Sequence, residues 1–556
     1  MKYPKIKSAQ SLIDLLQQKE VKDIIISPGS RNAPLTIGFT ENSFFNSYSI
    51  VDERSAAFFA MGISQQSNKP SVVVSTSGSA LLNYAPAVAE AYYSKIPLIV
   101  VSADRPKEWI DQADGQTIRQ ENALANHILE SVTLKEGEDK TSIWFNERLI
   151  NEAVNISIEK RGPVHINIPF SEPLYETVSE KGVNPKNIKL PKARPQLEVE
   201  ELERYAEIWN SSSRKMVLVG NHTPNEQVSI QLNHIAKDPS VLVLTETTSN
   251  MHGDNFISNI DQLINNLSKD EEEDLKPQIL ITLGGLIVSK KIKAFLRNCN
   301  MYHWHIGDDL KTPDTYQNLS SVFRVDPDMF FSQFFFLKQN KKSDYRDKFL
   351  AIRNLRKESH KDFISKTEFS DLKIYDTLIK KLPQDIQLHS SNSSVIRYFQ
   401  LFDKPGSWDM FCNRGTSGVD GATSTAIGAS LYAEKPVVLV TGDISFFYDS
   451  NALWNNYIPK NFKIILINNG GGSIFKIIPG PSSSSALEKF FQTKHNLKAK
   501  GLAETYGLKY LRADNQENFE SALNKLISEK GACILEVNTS KVENEKVLSD
   551  YWEYIK

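Results

Sequence analysis

Two polar residues placed at the ends of two buried apolar runs are the first chemistry this sequence offers. Residues 437–440 read VVLV and lead into Thr441-Gly442-Asp443; residues 464–467 read IILI and lead into Asn468-Asn469. An uninterrupted run rich in β-branched residues is the pattern of a strand covered on both faces. A helix-like stretch at 451–457 lies between them, so the segment reads as strand, crossover helix, parallel strand. In a parallel sheet the carboxyl ends of neighbouring strands share one edge, where ligands bind. Asp443 and Asn469, 26 positions apart, are then expected side by side. A carboxylate and a side-chain amide are hard oxygen donors that suit Mg²⁺, with water and phosphate completing the shell. Gly470-Gly471-Gly472 lets backbone approach closely, and the Gly471 carbonyl is a candidate third ligand. The plainer reading is an ordinary crossover with an Asp cap and a glycine turn. Each half of the signal is weak alone; the pair at this spacing is strong.

A second candidate is Glu53, in VDERSAAFFAMG (51–62). It follows a strand and starts a helix, where a carboxylate is also favoured simply by the helix dipole.

The elements that must position these residues are α/β throughout. At the start, an amphipathic helix over 8–19 precedes a strand at 23–26, and a further strand is expected near 48–51. The run 70–77, PSVVVSTS, aligns with 436–443, and 98–102, LIVVS, aligns with 464–468, both at the offset 366. All buried βαβ units look alike, but equal spacing favours two related domains. Ser77 then stands where Asp443 stands, and Ala103 where Asn469 stands, so the first copy lacks the metal ligands. Residues 183–200 carry three prolines and many charges and read as an interdomain linker. Strands at 216–219, 241–244 and 279–283 make a middle α/β domain; Gly284-Gly285 follows a strand, but GxGxxG is absent. KDEEEDLK (269–276) reads as a solvated surface loop. Residues 338–382 are charged and helical in pattern. Ser482 to Ser485 form a low-complexity loop expected to be mobile and to cover the site. The expected domains are 1–180, 200–337 and 383–556.

Composition sets the outer limits. A chain of 556 residues exceeds one core. A net charge of −2 with mixed signs gives no footprint for nucleic acid or a membrane surface. No apolar run approaches the length of a spanning helix, so no membrane insertion is expected. The start has no continuous apolar core or small-residue cleavage site, which argues against a secretory signal. Cys299, Cys412 and Cys533 form neither a zinc spacing nor a disulfide framework, which fits a cytoplasmic setting.

GD followed by NN resembles the metal-diphosphate signature of thiamin diphosphate enzymes, with Ile444 where most carry a third glycine. More specific runs are SPGSRNAPLT (27–36), VDERSAAFFAMG (51–62), STSGSALLNYAPAVAEA (75–91), SADRPKEWID (102–111), GQTIRQ (115–120), NRGTSGVDGATSTAIG (413–428) and GDISFFYDSNAL (442–453). Together they closely resemble the 2-succinyl-5-enolpyruvyl-6-hydroxy-3-cyclohexene-1-carboxylate synthases of menaquinone biosynthesis, over all three domains and least in the middle one. The resemblance implies three doubly wound parallel-sheet domains: pyrimidine-binding, central Rossmann-like and diphosphate-binding. It implies thiamin diphosphate with Mg²⁺ or Mn²⁺ as cofactors. It also implies a homodimer or dimer of dimers with sites at the subunit interface. Glu53 would hydrogen-bond the aminopyrimidine and drive its imino form. The family decarboxylates 2-oxoglutarate and adds the succinyl semialdehyde carbanion equivalent to isochorismate.

The positions matching the family's cofactor residues are Ser393, Val419, Gly442, Asp443, Ser445, Asn469, Gly472, Ser473, Ile474 and Phe475, besides Glu53. Val419 would bend the cofactor, and Ile474 and Phe475 would wall its rings; plain core packing is the competing reading for Val419 and Phe475. Ser30, Arg31, Arg105, Gln116, Lys290, Arg397 and Arg414 match its substrate residues. Two dicarboxylates need fixed cations, and the arginine fork suits them. Lys290 and Lys291 both remain candidates. Gly115 stands where the family's Asn is expected. The alternative enzyme is another thiamin diphosphate-dependent 2-oxo acid decarboxylase, or an acetolactate synthase-like one. A noncatalytic nucleotide-binding α/β scaffold leaves the paired ligands and Glu53 unexplained.

Overall fold

The computed structural model describes residues 2–308, 311–478 and 480–556. Three six-stranded parallel sheets organise them. The first holds β1 (Asp23–Ile26), β2 (Asn46–Ser49), β3 (Ser71–Ser75), β4 (Leu98–Asp104), β5 (Glu130–Thr133) and β6 (Pro163–Pro169), in the order β2-β1-β3-β4-β6-β5. The second holds β7 (Lys215–Val219), β8 (Val241–Thr245), β9 (Phe256–Ile257), β10 (Ile279–Leu283), β11 (Tyr302–Ile306) and β12 (Leu319–Phe323), ordered β9-β8-β7-β10-β11-β12. The third holds β13 (Gln387–Ser390), β14 (Asp409–Cys412), β15 (Val437–Gly442), β16 (Lys463–Asn468), β17 (Lys509–Ala513) and β18 (Cys533–Asn538), ordered β14-β13-β15-β16-β18-β17. The first and third sheets therefore share one topology, and the middle sheet has another. Helices flank all three, so the fold is the doubly wound α/β type the sequence implies.

Local chemistry explains the helices that matter. Leu12, Ile13, Leu15 and Leu16 line the buried face of α1 (Lys7–Gln18). The Asp52 side chain accepts the Ser55 N–H at 3.1 Å and starts α2 (Glu53–Ser67). Residues 269–276 are not a surface loop: Lys269–Leu275 form a helix, α3. Ser268 and Glu271 cap it reciprocally at 2.8 and 3.2 Å, a capping box hidden inside a run of charge. In the middle unit α4 (Lys290–Arg297) follows β10. The long α5 (Tyr345–Lys366) carries the chain towards the third unit.

The third unit contributes α6 (Ala422–Ser430) and α7 (Asp443–Tyr448). The crossover helix expected at 451–457 is displaced. Asp443 itself opens α7, and only a 3₁₀ turn at Ser450–Leu453 follows. The strand expected near 48–51 runs two residues earlier. Residues 183–198 have no regular structure, but they are fastened to the first unit. Asn151 and Lys19 hold Lys186, Asn187 and Ile188.

Helices α2 and α6 cross at backbone contact. A Cβ on Gly62 would run into the Thr425 carbonyl, and one on Gly428 into the Phe59 carbonyl. One apolar cluster continues through this crossing, from Ile25, Phe58 and Val100 to Ala426, Leu439 and Ile464. The middle unit docks on the third through side-chain amides. Asn250 exchanges two hydrogen bonds with the backbone of Met410, and Asn259 and Gln262 hold Gln400 and Leu401. No helix among the described residues is long and apolar enough to cross a membrane.

Candidate active site

β13 and β15 are neighbours although β14 lies between them in sequence. That reversal of strand order opens a crevice at their carboxyl ends, where α/β sheets bind ligands. Asp443 stands at the end of β15, 2% exposed. Its Oδ2 accepts the N–H groups of Gly470 and Gly471 at 2.8 and 2.9 Å. β16 pairs with β15 and ends one residue before Asn469. The Asn469 Nδ2 donates to Asp371 Oδ2 at 2.9 Å. Thr539 donates to the other Asp371 oxygen at 2.6 Å. Burial pushes the Asp371 carboxyl up to about 6. Because the amide nitrogen is committed to Asp371, the opposite edge of Asn469, its Oδ1, is the one left to accept a cation. Gly470 and Gly471 have φ of 81° and 139°, so glycine is required there. The Gly471 carbonyl accepts the Ser473 N–H at 2.8 Å and keeps a second lone pair. A carboxylate, an amide oxygen and a carbonyl at one turn form a donor set that fits a small divalent cation.

The other cofactor candidates surround this turn. Ser393 follows β13 with φ 68°, and Gly442 donates its N–H to Ser391 Oγ at 3.1 Å. Ser445 Oγ donates to the Val419 carbonyl at 2.6 Å. The Val419 side chain is 42% exposed, so core packing does not explain it. Gly472 donates to the Gln492 carbonyl at 2.7 Å, which brings the 481–492 segment back over the glycine turn. Ser473 is buried there. Ile474 is half-buried, as is Phe475, whose ring lies 5.8 Å from that of Phe491.

Glu53 is half-buried at the start of α2 and accepts a hydrogen bond from Asn83 Nδ2 at 3.1 Å. Beyond the end of β3, the Thr76 and Ser77 hydroxyls are buried without a hydrogen-bond partner. The substrate candidates of this unit line the same sheet edge. Arg31 is 5% exposed; it donates to the Phe170 carbonyl at 2.9 Å, and its Nε has no partner. Arg105 donates to the Gly115 carbonyl at 2.8 Å and pairs with Asp114 at 3.3 Å. Ser30 and Gln116 are exposed. A Cβ at Gly115 would meet nothing, so no crowding dictates glycine there.

Arg397 and Arg414 form a separate group on the third unit. Arg414 is 7% exposed and donates to Asn392 Oδ1 at 2.8 Å. The Nε atoms of both arginines are buried and unpartnered. Burial, and then the charge of Arg414, push Arg397 below its ordinary value. Lys291 donates to Asn265 and sits 4.0 Å from the Trp552 ring, so it is committed to the interface of the middle and third units. Lys290 is exposed. Among the described residues, no hydrogen bond or ion pair joins Ser30, Arg31, Arg105 and Gln116 to Lys290, Arg397 and Arg414.

Sequence reasoning missed the residues that hold these groups in place. Glu246, 3% exposed, accepts the N–H groups of Val288 and Ser289 at 2.7 and 2.8 Å and so fixes the approach to α4. Burial raises its carboxyl to about 7. Gln120 accepts the Gly78 N–H at 2.8 Å and donates to Asn167 at 2.9 Å, tying the Arg105 loop to the sheet. Gln120 lies in a run with a recognisable pattern, GQTIRQ; Asp371 and Glu246 have no local signal.

The comparisons with known proteins follow the same division. Residues 6–125 match the thiamine pyrophosphate enzyme N-terminal TPP binding domain, 189–389 the middle domain of thiamine pyrophosphate enzymes, and 390–537 the C-terminal TPP binding domain. The 2-succinyl-5-enolpyruvyl-6-hydroxy-3-cyclohexene-1-carboxylate synthase of Flavobacterium johnsoniae is 51% identical over 100% of both chains. Synthases of the same name from Flavobacterium psychrophilum and Christiangramia forsetii are 50% and 49% identical, again over 100% of both chains.

Proposed function

The chain belongs to the 2-succinyl-5-enolpyruvyl-6-hydroxy-3-cyclohexene-1-carboxylate synthases, thiamine pyrophosphate enzymes of menaquinone biosynthesis, and from that premise we propose how its residues divide the work. The reaction removes CO₂ from 2-oxoglutarate and joins the remaining four-carbon unit to isochorismate. Bound thiamin diphosphate supplies the nucleophilic carbon and the electron sink. Asp443, Asn469 and the Gly471 carbonyl hold Mg²⁺ or Mn²⁺ on its diphosphate. The observation that carries this is the turn itself: one buried carboxylate pinned by two glycine N–H groups, beside an amide whose nitrogen is already spoken for. Glu53 exchanges a proton with the aminopyrimidine, and Asn83 orients it.

Arg31, Arg105, Arg397 and Arg414 receive the substrate carboxylates. The buried, unpartnered Nε–H groups of Arg31, Arg397 and Arg414 support that role, since an unmet buried donor is costly unless a ligand meets it. Lys290 is free to join them, whereas Lys291 is not. The N-terminal and third-unit groups complete each other across a homodimer. Exposed Val51, Leu82, Tyr448 and Trp454 are the apolar surface that suits such a partner. A reducing cytoplasm suits the three free, buried cysteines.

The test supplies Mg²⁺ and thiamin diphosphate and follows 2-oxoglutarate and isochorismate together. Consumption of both, dependent on cofactor and metal, is expected. Rapid turnover of pyruvate without isochorismate would overturn the assignment in favour of a simple 2-oxo acid decarboxylase.

A further inference from the structure

His495 lies outside every group of residues placed at the site so far. It follows the segment that returns over the glycine turn, and its backbone N–H donates to the Gly470 carbonyl at 3.2 Å. Its ring is held edge-to-face against Phe447, 5.6 Å between centroids at 89°. The Leu497 N–H donates to its Nδ1 at 3.1 Å. An imidazole nitrogen that accepts a hydrogen bond carries no proton, so the ring proton sits on Nε2. That Nε2 is buried and has no hydrogen-bond partner. It lies 3.4 Å from Asp443 Oδ2 without the alignment of a hydrogen bond, and that oxygen is already engaged by the N–H groups of Gly470 and Gly471.

A buried donor, clamped by its own backbone, an aromatic ring and a fixed tautomer, calls for an acceptor that arrives with a ligand. We propose that His495 Nε2–H donates to the terminal phosphate of the bound diphosphate, and that His495 is not a metal ligand. Ligation through Nε2 would require moving the proton to Nδ1, where it would collide with the Leu497 N–H. His495 is thus a cofactor-binding residue just past the covering segment, so the chain leaving that segment is fastened by the ligand. The inference rests on the reading of the Asp443 turn as the diphosphate end of the site.

The experiment titrates the 556-residue chain with thiamin diphosphate in Mg²⁺, by calorimetry or quenching of intrinsic fluorescence. A hydrogen bond to an ionised phosphate predicts that His495→Ala and His495→Phe weaken binding by about tenfold to a hundredfold. The Phe variant keeps the packing on Phe447 and loses only the N–H. His495→Gln, whose amide nitrogen can reach the same place, stays within about threefold of the unsubstituted protein. With thiamin monophosphate the unsubstituted protein and the Phe variant bind alike. Mn²⁺ binding without cofactor, read by electron paramagnetic resonance, is unchanged in all variants. Equal thiamin diphosphate affinity in the Phe variant overturns the proposal. Loss of Mn²⁺ affinity in the Phe variant also overturns it, in favour of a metal ligand. Failure of the unsubstituted protein to bind thiamin diphosphate instead overturns the reading of the turn, and this inference with it.

Discussion

The first and third units are built on the same strand order, yet they place their candidate acids at different strand ends. In the first, the acid sits where the second strand gives way to its helix: Glu53 opens α2 after β2. In the third, the matching helix α6 follows Gly421, and the acid has moved to the end of the third strand, at Asp443. The matching end in the first unit holds the unpartnered hydroxyls of Thr76 and Ser77. The registers differ as well. Val73 pairs with Val100, but Leu439, its counterpart at offset 366, pairs with Ile464, two residues short of the counterpart of Val100. With β3 laid on β15, the position across from Asn469 is therefore Arg105, not Ala103. A slip of two residues keeps every side chain on its own face, so the core survives while an amide is replaced by a guanidinium. On the proposed assignment, one scaffold thus yields a cation-holding edge and an anion-holding edge.

The hardest blow to this comparison is a matched pair of substitutions. Asp443→Ala should lower kcat/KM by about three orders of magnitude, and Ser77→Ala by less than about tenfold. Glu53→Gln should keep cofactor affinity and lose about 10²- to 10⁴-fold in turnover. Equal losses from Asp443→Ala and Ser77→Ala would erase the distinction between the edges.

The next asks whether the two edges meet within a chain or between chains. Co-expressed Glu53→Gln and Asp443→Ala proteins should recover about a quarter of the unsubstituted activity, because half the dimers are mixed and each has one intact site. No recovery would place both acids in sites formed by a single chain.

Smaller effects concern the scaffold. Gly62→Ala forces a methyl into the Thr425 carbonyl and should cost about 1–3 kcal/mol or more of stability by chemical denaturation. Gly115→Ala, with open space around it, should cost almost nothing. The smallest is a pH effect outside the twinned units. Glu246 keeps its proton up to about 7, against 4.5 for an ordinary glutamate. Between those values the folded chain holds a proton that the unfolded chain has lost, so stability falls as pH rises through this window. Glu246→Gln lacks that slope. Measured at about pH 5.5 and about pH 8, the variant should gain on the parent as pH rises.

The sheets were legible because fully covered strands leave uninterrupted apolar runs, as at 437–440 and 464–467, and because strand ends are where polar residues must appear. Asp443, Asn469 and Glu53 declared themselves in that way. The helix forecast at 451–457 failed because Asp443 starts the helix directly from the strand tip, leaving no loop to read. The helix at Lys269–Leu275 was hidden because its acidic run resembled a solvated loop more than a capped helix. Asp371, Glu246 and His495 escaped notice for a different reason. Each acts through one or two hydrogen bonds to residues tens of positions away in sequence, or through a ring set beside the Asp443 carboxylate. Neither leaves any periodicity behind.

The crossing of α2 over α6 has a consequence for how such an enzyme can drift. Where main chain touches main chain, the gap is a caliper cut into the polymer, not a cushion of exchangeable groups. Neighbouring substitutions can alter how firmly the two helices pack, yet they leave the gap between the main chains as it was. Side chains around the crossing are then free to change, while the spacing of the first and third sheets within one chain stays calibrated.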